Sequence, residues 1–207
     1  KSAIQNLSST SIGDPKSKIA NRKLEYGFTV ASYDKTKDLI IDPLLASTFL
    51  GKYSTVYDRS ITIDSNGNIY VTGETYSSEF PTTTGAFNTS YNGNGDIFIS
   101  KLNGDLTRLL ASTILGGASY EGGRSIAIDS SGNIYVAGGT YSSDFPTTTG
   151  TYDTSYNGSY DVFVSKLNGS LTNLLASIYL GGSSYEDAQF IAMAIDSGGN
   201  IYVTGHT

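Results

Sequence analysis

The residues able to do chemistry in this chain are oxygen-rich or aromatic, and they recur. Asp64-Ser65-Asn66-Gly67-Asn68 carries oxygen-bearing side chains at alternate positions, as a calcium loop does at its start. The twelve-residue calcium pattern also needs a bidentate Glu at its end, where this chain has Thr75. Gly67 and its polar neighbours predict a tight turn instead, in which Asp64 and its counterparts Asp129 and Asp196 accept turn amide hydrogen bonds. No metal site is expected. Residues 76–95 form a stretch too long for an idle connection, and loops of that length tend to be functional or specially packed. Tyr76, Phe80 and Tyr91 offer rings for stacking on sugars, and Asn92 and Asp96 can hydrogen-bond hydroxyls. Tyr141, Phe145, Tyr156 and Asn157 are their counterparts in the second copy. The same rings could equally seal the junctions between packed sheets.

Catalytic groups are scarce. His206 is the single histidine, and no motif surrounds it. Glu121, Glu186 and Asp187 fall in a turn that varies between copies, and no spacing singles out an acid/base pair. Phosphate loops, nucleophile elbows and metal-ligand clusters are missing from the sequence. The expectation is therefore no catalytic residue and no cofactor. Asn6, Asn88, Asn157 and Asn168 each begin an Asn-X-Ser/Thr sequon and are candidate glycosylation acceptors. Asn168 is already accounted for by an Asn-Gly turn.

The elements that must position these residues repeat with them. LLASTFLG at 44–51 returns as LLASTILG at 109–116 and LLASIYLG at 174–181, a period of 65 residues. Residues 44–108 and 109–173 are identical at 44 of 65 positions, so both copies must adopt one fold. Each unit reads as four short strands in two hairpins. In the first unit these are 60–64 with 68–73, and 96–102 with 106–115, the second pair turning through Asn103-Gly104. The equivalent pairs lie within 125–138 and 161–180. Strands such as DIFISKL are apolar on both alternating sets of positions, so their sheets need cover on both faces, which stacked blades provide. An all-β fold follows, with β-propeller-type four-stranded antiparallel blades in tandem. Ile61, Ile63, Ile69, Val71, Ile97, Phe98 and Ile99 are the expected inter-blade core. The array has two full blades plus partial ones, too few for closure. Residues 1–43 are read as an N-terminal β-strand segment and linker, and 44–207 as the repeat array.

Composition narrows function by exclusion. The net charge of −6 opposes nucleic-acid binding, which needs a basic surface to release counterions. No apolar run reaches the ~20 residues of a membrane helix, because Asp42 and Pro43 interrupt the best candidate, so no membrane insertion is expected. The chain has no cysteine, so neither disulfides nor thiolate metal sites hold it together. Residues 1–43 carry seven basic and five acidic side chains, against six and fourteen in 44–207. That asymmetry modestly favours head-to-tail contact between copies.

The succession IIDPLLASTFLG, IDSNGNIYVTGET, SSEFPTTTGAF and DIFISKLNGDL resembles the bacterial and archaeal β-propeller repeat family often called SBBP repeats. The resemblance runs from about Leu39 to Thr207, and 21–43 resembles the end of the β-rich domain that precedes such repeats. It implies a propeller and an extracellular or cell-surface setting, and it brings no catalytic site. The expected function is a non-enzymatic structural or adhesive scaffold that self-assembles through strand edges into a surface layer, fibre or filament. A glycan-binding module using 76–95 and its copy is the alternative. An enzyme of the propeller lyase or hydrolase kind is disfavoured, because such sites draw different polar residues from different blades.

Overall fold

The computed structural model describes residues 46–51 and 56–206, and among them the chain is all-β. The expected strand segment at 1–43 lies outside the described residues. The first blade comprises β1 (Val56–Ile63), β2 (Ile69–Thr75), β3 (Asp96–Leu102) and β4 (Leu109–Leu115), hydrogen-bonded in that order. The second comprises β5 (Glu121–Ile128), β6 (Ile134–Thr140), β7 (Asp161–Leu167) and β8 (Leu174–Leu180). A two-stranded sheet of β9 (Asp187–Ile195) and β10 (Ile201–His206) follows. Pairing within every sheet is antiparallel, in the same register in both blades, and the described sheets stand in tandem without closing.

The first hairpin of each unit turns as its sequence requires. Asp64 Oδ1 accepts the amides of Asn66 and Asn68 at 2.9 Å each, and Gly67 takes the left-handed φ of +78°. Asp129 and Asp196 repeat these bonds. The second hairpin differs from the Asn-Gly expectation. The positive φ falls on Leu106 (55°) and Leu171 (58°), not on Gly104 or Gly169. Asn103 Oδ1 accepts the amides of Thr107 and Arg108, so the side chain closes a longer turn and β4 starts at Leu109. A side chain that replaces backbone partners makes the left-handed cost at Leu106 bearable.

Blades stack through their first strands. β5 packs across β1 and β2, and β9 packs across β5 and β6. The Ser60 hydroxyl accepts the Ile126 amide at 3.3 Å, and Ser125 accepts that of Met193 at 3.2 Å. Ile126, Val136 and Phe163 of the second blade join Ile97 and Ile99 of the first in one core. The inter-blade expectation holds for Ile97 and Ile99, which are fully buried in that core, whereas Phe98 is fully buried under Phe80 and Ile114 of its own blade. It fails for Ile61 and Ile63, which are 64 % and 63 % exposed. Ile126, the counterpart of Ile61, is 6 % exposed because the first blade covers it, and Ile128, the counterpart of Ile63, is partly buried. The matching face of the first blade meets no described blade.

Truncation should expose this difference. Ile126→Ala should cost about 2–5 kcal/mol and Phe98→Ala about 3–5 kcal/mol, whereas Ile61→Ala should be nearly neutral. Chemical denaturation of the three variants checks the order, and a large loss at Ile61 would mean that its face is covered in solution.

Candidate functional site

The long loops do not present their aromatic rings as a set. Phe80 lies buried on Phe98, ring centroids 4.6 Å apart, and Phe145 lies on Phe163 at the same separation. A ring packed on its own blade cannot stack on a sugar, which removes Phe80 and Phe145 from the candidate ligand set. Beyond them the loop fastens to the outer strand. Thr83 bonds Ser112 through both amide and hydroxyl, and the Ile114 amide donates to the Asn88 carbonyl. Thr148 and Ser177 repeat the first contact, and the Tyr179 amide donates to the Asp153 carbonyl. Each loop thus supplies partners to an edge strand whose polar groups would otherwise be free to pair with another chain.

The tyrosines follow another path. Tyr57, Tyr76, Tyr120, Tyr141, Tyr160 and Tyr185 form a continuous ladder across the blades, with successive ring centroids 6.1, 6.4, 6.1, 4.2 and 5.3 Å apart. Tyr57, Tyr76, Tyr141 and Tyr185 are exposed on it, and Tyr160 is buried. Tyr91 is half-buried and off the ladder, while Tyr156 bonds the Ser159 carbonyl and lies edge-on to Tyr179. The Asn92 amide donates to Asp96 and the Asn157 amide to Asp161, so both residues hold the loop to a buried carboxylate.

Those carboxylates are where buried charge gathers. Asp96 and Glu121 are fully buried at the first blade junction, as are Asp161 and, nearly so, Glu186 at the second. The members of each pair are 25 residues apart in sequence. Glu121 accepts from the Gly117 amide and the Thr140 hydroxyl, and Glu186 from the Gly182 amide. Burial pushes the Asp96 carboxyl up to about 6; the Asn92 amide opposes this and the Glu121 charge adds to it. Burial also raises Glu121 and Asp161. By sequence alone Glu121 and Glu186 fall in a variable turn. Their recurrence with Asp96 and Asp161 at a common spacing was the available signal.

Glu74, equally buried, is balanced by Arg59 and Arg124. Asp64 and Asp129 stand beside Lys101 and Lys166, at 3.6 and 3.4 Å. His206 is exposed on β10, opposite Asp187 in register. Of the sequons, Asn168 spends both side-chain polar atoms on Thr172 and Asn173, Asn88 is half-buried, and Asn157 is exposed. Asn6 lies outside the described residues.

The SBBP β-propeller repeat family matches the chain at residues 47–81, 112–146 and 177–207. The 112–146 match runs from the last strand of the first blade through the first two of the second, so it contains a blade junction. No curated protein matches the chain.

The turn aspartates set an acid limit. Burial works against the Asp129 charge, but the Asn133 side chain, the Asn133 and Ser131 amides and Lys166 hold its carboxyl at about 2, below its ordinary 3.8. A lowered folded value contributes stability that is present above pH 3.8 and lost as the pH falls towards 2. Asp129→Asn should flatten the stability-pH curve in that window. An unchanged slope in urea denaturation at stepped pH would show that the turn contributes no such linkage.

Proposed function

Because the array consists of SBBP β-propeller repeats, we propose that the chain is a non-enzymatic scaffold of stacked blades that works outside the cell or at its surface and extends by self-association. The observation that carries this reading is the contrast between Ile61 and Ile126, equivalent residues whose exposure differs tenfold according to whether a blade lies on them. The face of the first blade that no described blade covers holds a shallow depression of about 360 Å³ lined by Asp58, Arg59, Ser60, Ile61 and Val71. On the two-stranded sheet Phe190, Ile201 and Tyr202 are exposed as well. Contiguous apolar faces are interaction surfaces. A second copy offers both halves of the contact, and a head-to-tail contact of that kind propagates into a ring or filament.

Two further features support the assignment. The polar residues that converge at each junction are nearly the same in both blades and are buried, so a substrate has no route to them. The extracellular placement rests on the sequence resemblance. The exposed part of the tyrosine ladder favours a second reading, in which Tyr76 and Tyr141 bind glycans along the rim. A glycan-array signal that Tyr141→Ala abolishes would support that reading.

Self-association is open to light scattering. The mass should exceed that of one chain at micromolar concentration and rise with concentration, and Ile61→Asp should return it to one chain. A single-chain mass for the unmodified protein across that range rejects assembly through this face.

A further inference from the structure

Each blade junction holds two carboxylates that face one another. A Cβ built on Gly116 would lie 2.7 Å from Asp96 Oδ1 and 2.7 Å from Glu121 Oε2, so the two oxygens are no more than about 5.4 Å apart. At Gly181 the corresponding distances are 2.9 Å to Asp161 Oδ1 and 3.1 Å to Glu186 Oε2. One oxygen of each pair, Asp96 Oδ1 and Glu186 Oε2, is buried with no hydrogen-bond partner. A buried, unpartnered carboxylate oxygen beside a second carboxylate is costly unless a positive species lies between them.

No side chain of the described residues supplies that charge. Among the described residues the arginines and lysines that form ion pairs go to Glu74, Asp64 and Asp129, and none reaches these four carboxylates. Other oxygens converge nearby. A Cβ on Gly158 would lie 2.2 Å from the Ser184 carbonyl, 2.7 Å from Asp161 Oδ1 and 3.0 Å from the Gly182 carbonyl. At Gly93 the Ser119 and Gly117 carbonyls occupy the matching places, at 2.0 and 3.0 Å. The Gly117 amide and the Thr140 hydroxyl hold the Glu121 carboxylate and the Gly182 amide that of Glu186, and hydrogen bonds of this kind orient metal ligands.

We propose that Asp96 with Glu121, and Asp161 with Glu186, each bind a calcium ion that ties one blade to the next. The donors are all oxygen, carboxylate and carbonyl, without imidazole or thiolate, which selects a hard cation. Calcium tolerates an irregular shell of 6–8 oxygens at about 2.3–2.6 Å, whereas magnesium demands a near-ideal octahedron. Water completes the shell. The ion joins the start of β3 to the start of the next blade's first strand, so it binds the stacked state alone and stabilises it. This site is distinct from the Asp64 turn, where Oδ1 accepts the Asn66 and Asn68 amides and Oδ2 is taken by the Asn68 side chain, Tyr70 and Lys101.

The test uses the whole chain, stripped with chelator at pH 7.5. Added calcium should raise the melting temperature. Terbium should give luminescence sensitised by Tyr120, Tyr160 and Tyr185, displaced by calcium, with two ions bound per chain. Asp96→Asn and Asp161→Asn, confirmed as folded by circular dichroism, should each leave one ion. The titration of the unmodified chain decides the matter even if a variant fails to fold. An unchanged melting temperature without terbium emission overturns the proposal. So does stoichiometry that neither variant alters, or a melting temperature that follows pH through about 6 while ignoring calcium, the mark of a shared proton.

Discussion

The structure depends on one constraint: each four-stranded sheet is apolar on both faces, so each face favours cover by a neighbouring blade or loop. Leu115, Ile97 and Ile99 on one blade meet Ile126, Val136 and Phe163 on the next, and burial of these side chains is the main favourable contribution across the junction. Polar contacts do a different job. The Ser60 and Ser125 hydroxyls, each bonded to the following first strand, fix register without adding much burial. A fold made this way has stability that grows blade by blade.

Stacking covers faces and leaves edges. The 76–95 loop and its copy resolve that problem by folding back on the outer strand, where Thr83 and Thr148 supply partners to Ser112 and Ser177. Phe80 and Phe145 anchor the loops by inserting under them onto Phe98 and Phe163. A loop with that task needs its length, its rings and its hydroxyls for structure. What remains on the surface at the strand ends is the exposed part of the tyrosine ladder, Tyr57, Tyr76, Tyr141 and Tyr185.

Two units with such similar sequences can still differ in chemistry, and the differences lie at the junctions. Glu74 draws in Arg59 and Arg124, whereas the same position in the next unit is Gly139, which lies against Tyr160 and Ala188. Asp96 and Asp161 keep the same amide donor at Oδ2, yet only Asp161 gains a second from Gly158. The unpartnered oxygen therefore moves from the aspartate of one pair to the glutamate of the other.

Local rules decided a good part of this protein. The 65-residue period is read directly, and alternating apolar strands and Asp-Ser-X-Gly turns act over a few residues, so the blade count, strand order within hairpins and the Asp64, Asp129 and Asp196 caps are legible in the sequence. The positive φ at Leu106 is not, because Asn103 replaces the backbone partners that make an ordinary Asn-Gly hairpin. Burial was legible only on average. Ile61 and Ile126 have the same local sequence signal, and their exposure is set by whether a neighbouring blade is present. The carboxylate pairs needed tertiary structure altogether. Asp96 and Glu121 come from different blades and meet only because the residues before β5 bridge back to Gly95, a contact that no local pattern encodes.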